Sequence, residues 1–253
     1  MYNALLLHGF LGCGEDWGPV VDRLAIRVPD LHCLTPDLPG HGKNREIPAI
    51  SPVKEVLAWL EQKREMSGCP RWHLAGYSLG GRIALHYALA YPERVASLTL
   101  ISSSPGIDDE AERERRRVRD AIWAEMLRNS SRNDFLDAWY KQPVFGSLRE
   151  KPGLLASIKA RRSVGNAERL AQVLTAWGQG RIPSLWSRLS SLAVPGQWIV
   201  GAEDEAYVEM TYHLKNLLPE ACIVRIPGAG HTVHVEQPDA VADAMAGLIK
   251  QGS

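Results

Sequence analysis

The sequence predicts an α/β protein: a mostly parallel sheet with helices on both faces and an inserted helical cap. Three observations carry that expectation. Short apolar segments at 2–8, 31–35, 71–75, 95–101, 197–200 and 222–226 alternate with longer helical stretches, the pattern of a parallel sheet covered on both faces. One of those segments, Arg71 to Ala75, runs through Gly76-Tyr77-Ser78-Leu79-Gly80 straight into a helical stretch, Leu79 to Ala90. From about Asp108 to Leu189 the strand rhythm stops and only helical segments remain, at 109–128, 131–140, 151–162 and 166–176. The expected organisation is a core of residues 1–107 and 190–253, interrupted by a cap of residues 108–189.

Taken in order, residues 2–8 read as a buried parallel strand: short, apolar and ended by Gly9. His8-Gly9-Phe10-Leu11-Gly12 follows as a tight loop. Loops at the carboxyl ends of parallel strands are where α/β sheets place ligands, so the backbone N–H of Phe10 is expected to point into a site as an oxyanion-hole donor. Asp16 to Ile26 suits a helix with Trp17, Val20, Val21 and Leu24 on one side. Leu31 to Thr35 leads into Pro36-Asp37-Leu38-Pro39-Gly40-His41-Gly42, a rigid turn in which a histidine is more often structural than catalytic. Pro52 to Arg64 is an amphipathic helix, stopped by Gly68-Cys69-Pro70. Val95 to Ile101 ends in Ser102-Ser103-Ser104-Pro105-Gly106. After the helical insertion, Gln197 to Val200 ends in Gly201-Ala202-Glu203-Asp204-Glu205, and Cys222 to Ile226 ends in Pro227-Gly228-Ala229-Gly230-His231. Pro238 to Lys250 closes the chain as an amphipathic helix.

Composition excludes several classes of partner. Lys+Arg and Asp+Glu are balanced at 29 each, which gives no footprint for nucleic acid or a membrane surface. No apolar run approaches the ~20 residues of a membrane span, and Ala4 to Leu7 is too short for a secretory leader. Cys13, Cys33, Cys69 and Cys222 are scattered, without a CxxC pair or ligand cluster, as expected of free thiols in a reducing cytoplasm. No phosphate loop, haem motif or metal-ligand cluster is present, so neither a cofactor nor a metal is expected.

The chemistry-bearing residues form a set. Gly-x-Ser-x-Gly between a strand and a helix describes a nucleophile elbow, with Ser78 held on a strained turn above the sheet edge. The helix that begins at Leu79 turns its free N–H groups toward any negative charge forming beside Ser78. A serine hydroxyl needs an imidazole to accept its proton and a carboxylate to orient that imidazole. An acid follows one late strand and a histidine follows the next, in the chain order Ser, Asp, His. His231 is the expected base, with His234 as runner-up. Asp204 is the expected orienting acid, with Glu203 and Glu205 as competitors. In the insertion, periodicity puts Arg116 on the stripe of Trp123 and Leu127, Arg115 on that of Ile122 and Met126, and Arg119 between the two. One of these three is expected to face a pocket, and spacing does not choose among them.

Along nearly its whole length the chain resembles the α/β-hydrolase fold family. The resemblance lies in Leu7-His8-Gly9-Phe10, Pro36-Asp37-Leu38-Pro39-Gly40-His41-Gly42, Gly76-Tyr77-Ser78-Leu79-Gly80-Gly81, Gly201-Ala202-Glu203-Asp204 and Gly228-Ala229-Gly230-His231. Three stretches are narrower: Gly81-Arg82, Trp139-Tyr140-Lys141-Gln142-Pro143-Val144-Phe145, and Ala160-Arg161-Arg162-Ser163. These resemble the MenH family, the 2-succinyl-6-hydroxy-2,4-cyclohexadiene-1-carboxylate synthases of menaquinone and phylloquinone biosynthesis. The resemblance implies a lyase that eliminates pyruvate from a small polycarboxylate. It implies substrate-binding roles for Arg82, Arg116 and Arg162, whose planar guanidinium groups suit carboxylates. Ser78, with His231 and Asp204, would act as a base on a ring proton, and the N–H groups of Phe10 and Leu79 would stabilise the developing negative oxygen. Tyr77, Trp139 and Tyr140 would line the pocket, though core packing suits each equally well. Most members of the fold family place one or two antiparallel strands ahead of the first strand read here, so a shortened sheet edge is expected. The competing reading is a carboxylesterase-type serine hydrolase acting through an acyl-enzyme.

Overall fold

All six strands of the sheet run parallel, in the order β2-β1-β3-β4-β5-β6. The computed structural model describes residues 2–44 and 46–251; the outermost residues of the expected core, 1, 252 and 253, lie outside them. The first half comprises β1 (Tyr2–Leu7), α1 (Gly18–Arg27), β2 (Leu31–Leu34), α2 (Val53–Met66), β3 (Trp72–Tyr77), α3 (Leu79–Ala90) and β4 (Val95–Ile101). Next come α4 (Glu110–Asn129), α5 (Arg132–Trp139), α6 (Gly146–Arg149), α7 (Pro152–Arg162) and α8 (Ala167–Trp177). The sheet resumes with β5 (Gly196–Gly201), α9 (Glu205–Leu217), β6 (Cys222–Ile226), α10 (Val233–Glu236) and α11 (Pro238–Gln251). Periodicity predicts most of these to within one or two residues. It does not predict α9, α6 or α10.

Because successive side chains on a strand point to opposite faces, the apolar strands feed two cores at once. Leu5, Leu7, Leu74, Leu98 and Leu100 pack with Val56 and Leu60 of α2 and Ile83 and Tyr87 of α3 on one face. Ala4, Leu6, Ala75, Ile101 and Ile199 pack with Trp17, with Val20 and Leu24 of α1, and with Val241, Met245 and Ile249 of α11 on the other. This explains why the strands read as continuous apolar runs rather than alternating ones. The two edge strands depart: β2 is four residues long and mostly half-buried, and β6 is five residues long and mostly half-buried or exposed, the short form that protects an edge from pairing with another chain. No antiparallel strand joins the sheet among the described residues.

The helices between β4 and β5 form a third core of their own, built on Ala124, Leu127, Phe135, Leu136, Ile158, Ala171 and Leu174. This cap leaves and returns at one place: Leu185 N–H donates to the Pro105 carbonyl at 2.8 Å, and the Trp186 indole N–H to the Gly106 carbonyl at 3.0 Å. Strand order reverses between β1 and β3, since β2 lies on one side of β1 and β3 on the other. In open parallel sheets the crevice beyond the strand ends at such a point receives the ligand. Here it holds the Phe10 turn after β1 and Ser78 after β3.

Candidate active site

Ser78 occupies a single residue between β3 and α3, with φ 50° and ψ −109°. A non-glycine residue at positive φ is strained, and the surroundings must hold it there. The holding groups are identifiable. Ser78 N–H donates to the Ile101 carbonyl at 2.9 Å, the Ser78 carbonyl accepts from Arg82 N–H at 3.1 Å, and it accepts from Ser103 Oγ at 2.9 Å. The turn also requires backbones to meet. A Cβ on Gly80 would lie 2.2 Å from the Leu7 carbonyl oxygen, and one on Gly76 2.4 Å from that of Gly80, so both positions admit only glycine.

The relay is complete. His231 Nδ1 lies 2.7 Å from Asp204 Oδ2, and His231 Nε2 lies 3.4 Å from Ser78 Oγ. The first contact is a short hydrogen bond; the second is long, as is common before a ligand tightens the site. Asp204 is buried and caps the start of α9, while Glu203 and Glu205 flank it on the surface. Leu79 opens α3, so its N–H has no acceptor within the helix. It and the Phe10 turn border the same cavity as Ser78.

That cavity has a volume of about 680 Å³ and lies between sheet and cap. It brings together Ser78, His231, Asp204, Phe10, Leu79, Tyr77, Trp139, Arg82, Arg116 and Arg162. Tyr140 is the exception and corrects the expectation that it lines the pocket. It is fully buried behind the wall, packed against Phe145 with ring centroids 4.9 Å apart, and its hydroxyl accepts from Arg162 Nη1. The ring next in sequence to the cavity residue Trp139 thus supports Arg162 from behind rather than facing the cavity.

Two other histidines are excluded as bases by their surroundings. His41 is buried, with Nδ1 3.0 Å from the Pro39 carbonyl. His234 is buried between Trp17 and Tyr77, at centroid distances of 5.0 and 4.2 Å, and neither ring nitrogen has a partner. Burial lowers the pKa of His41 well below the usual value, that of His86 to about 4 and that of His234 to about 3. These groups stay neutral in the fold and take up protons on unfolding. Between the ordinary value of 6.5 and their folded values the unfolded state binds more protons, so stability falls as pH falls. Asp16 adds a second, more acid window. Burial is the largest single influence and raises its pKa, but the Arg162 guanidinium and the smaller pulls of His234, His8 and Arg161 together outweigh it and hold the carboxyl at about 2 against an ordinary 3.8. Its contribution is complete above 3.8 and disappears as pH drops to about 2. Urea unfolding at a series of pH values is expected to show a continuous loss of stability from near pH 6.5 downward. His234→Phe, which keeps a buried ring, should flatten that slope between pH 4 and 6 by up to ~1.4 kcal/mol per pH unit. An unchanged slope in the variant would remove His234 from the account.

The guanidinium groups are held differently. Arg162 Nη2 meets Asp16 Oδ2 at 3.3 Å, and Arg161 Nε reaches the other oxygen at 3.2 Å. Arg116 Nε meets Asp120 Oδ1 at 2.8 Å, and its Nη1 donates to Gln179. Arg82 is buried and makes no ion pair or side-chain hydrogen bond among the described residues; its Nε is left without a partner. Burial pushes its pKa down to about 10, which corresponds to roughly 3 kcal/mol against keeping the charge. Sequence reasoning missed Tyr207, Gln179 and the α8 wall of Val173, Leu174 and Trp177, all of which line the cavity. Tyr207 faces His231, the two ring centroids 4.7 Å apart. An aromatic one turn into a helix that begins at the acid was the available signal. Nothing local marks Gln179.

The cap is also tied to the loop that carries His231. Glu236 accepts from Thr232 Oγ1 at 2.8 Å and from Gly230 N–H, beside His231, at 3.2 Å. The same carboxylate accepts from Ser147 Oγ and Lys151 Nζ of the cap, both at 2.6 Å. Lys151 donates further to the Gly228 carbonyl at 2.7 Å.

Among the described residues no cluster of His, Cys, Asp and Glu could hold a metal ion, and no helix is long and apolar enough to cross a membrane. All four cysteines are free. Comparison with known proteins agrees with this geometry. A model of the alpha/beta hydrolase family matches residues 4–244. The 2-succinyl-6-hydroxy-2,4-cyclohexadiene-1-carboxylate synthase of Enterobacter sp. (strain 638) is 33% identical over 246 residues, covering 97% of this chain and 91% of that protein. Protein PHYLLO, chloroplastic, of Arabidopsis thaliana is 32% identical over 251 residues, covering 93% of this chain but 14% of that longer protein. Among solved structures, MenH from S. aureus superposes with a TM-score of 0.90 at 30% identity, covering 99% of this chain and 94% of that one. The chain belongs to the α/β hydrolase family and, within it, to the 2-succinyl-6-hydroxy-2,4-cyclohexadiene-1-carboxylate synthase (MenH) family.

Proposed function

We propose that this protein eliminates pyruvate from 2-succinyl-5-enolpyruvyl-6-hydroxy-3-cyclohexene-1-carboxylate, giving 2-succinyl-6-hydroxy-2,4-cyclohexadiene-1-carboxylate, in menaquinone or phylloquinone biosynthesis. One observation carries the reading. The Ser78–His231–Asp204 relay opens onto the same cavity as Arg82, a buried cation with no counter-ion of its own. A fold does not keep such a charge for packing, because burial disfavours it. It is explained by an anionic ligand that completes it. A cleft for a neutral ester has no such use for it.

The geometry supports the following steps. His231, oriented by Asp204, takes the Ser78 proton, and the Ser78 oxygen removes a ring proton from the substrate. The electron pair released forms a new ring double bond, the existing ring double bond moves one position toward the leaving group, and the ring bond to the enolpyruvyl oxygen breaks. The group leaves as the enolate and takes up the proton held by His231 to become pyruvate, which returns Ser78 and His231 to their starting forms, so no acyl-enzyme forms. The Phe10 and Leu79 N–H groups stabilise the negative oxygen that develops. Arg82, Arg116 and Arg162 hold carboxylates, while Tyr77 and Trp139 cover the ring. The cytoplasm is the proposed compartment, and a small polycarboxylate the proposed ligand. No cofactor takes part in this scheme.

Pyruvate release from the enolpyruvyl substrate, followed with lactate dehydrogenase, is the test. Turnover at a kcat/KM of at least ~10⁴ M⁻¹s⁻¹, the lower end for natural enzymes, supports the lyase. No release, together with a burst and fast turnover on an aryl ester, would establish the serine hydrolase instead.

A further inference from the structure

Four arginines border the cavity: Arg82, Arg116, Arg119 and Arg162. Two are neutralised from within, Arg116 by Asp120 and Arg162 by Asp16. Arg119 is not. It makes no hydrogen bond or ion pair among the described residues, although it lies three residues beyond Arg116 on the same side of α4. Three other arginines of this helix behave otherwise, while Arg115, exposed and outside the cavity, shares the lack of a partner among the described residues. Arg113 pairs with Glu110, Arg117 with Glu110 and Glu114, and Arg128 with Glu125 and Glu168. Arg119 lacks that outlet because its neighbours at three and four residues are Arg115, Arg116, Ile122 and Trp123. Unlike Arg82, it keeps an exposed side chain, so it stands at the rim rather than the floor. Its pKa is lowered by partial burial and by Arg116 beside it, the condition an incoming anion relieves.

The geometry points to Arg119 as a further substrate-binding residue, which takes the carboxylate most remote from the reacting carbon while Arg82 takes one close to Ser78. The assignment rests on the reading of the cavity as a polycarboxylate site. It makes the rim a specificity filter: ligands whose second carboxylate reaches outward gain a contact that shorter acids cannot make.

The test compares Arg119→Gln, Arg119→Lys and, as a control for net charge, Arg115→Gln, which alters an exposed residue outside the cavity. Arg119→Gln should raise KM for the enolpyruvyl substrate about tenfold with kcat within twofold, because the lost contact is equal in ground and transition state. Arg119→Lys should recover part of that loss, and Arg115→Gln should match the parent. Binding of a tricarboxylate probe, tricarballylate, measured by calorimetry without turnover, should weaken in Arg119→Gln by a similar factor. An unchanged KM, an equal loss in Arg115→Gln, or a fall in kcat at constant KM would overturn the assignment. The calorimetric arm separates its failure from that of the proposed reaction. A parent protein that releases no pyruvate but binds the probe through Arg119 fails only the latter.

Discussion

Ser78→Ala is expected to lower kcat for pyruvate elimination by about 10³–10⁴-fold while substrate binding stays within a few fold of the parent. The variant removes the one oxygen that reaches both His231, 3.4 Å away, and the cavity. The arginines and the N–H groups of Phe10 and Leu79 remain. His231→Ala should fall as far, since an imidazole without the hydroxyl, or the hydroxyl without the imidazole, has no path for the proton. Because the two act as a unit, the double variant should be no slower than the worse single one. Single-turnover pyruvate release beside a calorimetric titration reads both quantities. A Ser78→Ala enzyme within tenfold of the parent would show that the proton leaves by another route. The alanine also loses little by way of fold, as the backbone contacts that hold the turn come from the Ser78 N–H and carbonyl rather than its hydroxyl.

Arg82→Met should separate stability from activity in opposite directions. The side chain is buried and unpartnered, so the empty enzyme carries an uncompensated charge in its floor. Methionine has similar length and no charge to desolvate. Replacing it should raise stability by about 1–3 kcal/mol, within the range seen when buried ions give way to apolar side chains of like volume. The same change leaves a substrate carboxylate without its paired hydrogen bonds, at a cost of about 2–5 kcal/mol in kcat/KM, or roughly 30- to several thousand-fold. Urea unfolding and steady-state kinetics on one preparation settle both halves. A variant that loses activity and stability together would mark Arg82 as a structural residue. A gain in stability with activity intact would mean that the substrate does not use it.

Local pattern carries far into this protein, and it stops where contacts become non-local. The 95–101 and 222–226 strands match residue for residue, because continuous apolar runs bounded by turns have few other readings. The elbow was legible because Gly-x-Ser-x-Gly between a strand and a helix is a backbone requirement written in residues. Asp204 was the expected acid from sequence, but its neighbours Glu203 and Glu205 stayed in competition until the loop was seen, since a one-residue slip on a loop redirects a side chain entirely. Helix α9 escaped notice because its fully buried positions are just Thr211 and Leu214, too few to form an apolar stripe. The counter-ion of Arg162 is 146 residues away at Asp16, and no spacing rule spans that distance. Periodicity narrowed the α4 arginines to three and could not rank them. The structure places 116 and 119 at the cavity and 115 in solvent.

The contacts of Glu236 bear on how molecules enter and leave. The cap is anchored at its root, where Leu185 meets Pro105, and again where Ser147 and Lys151 grip the carboxylate beside His231. A flap fastened at two places does not swing as a door. With both ties held, traffic is expected to pass a doorway whose width is set by side chains at its frame, which move on the picosecond-to-nanosecond scale of exposed rotamers rather than the slower scale of domain hinges. Release of a small, hydrated acid such as pyruvate through such an opening need not wait for the lid, and the larger cyclic product is the one whose departure the frame would time.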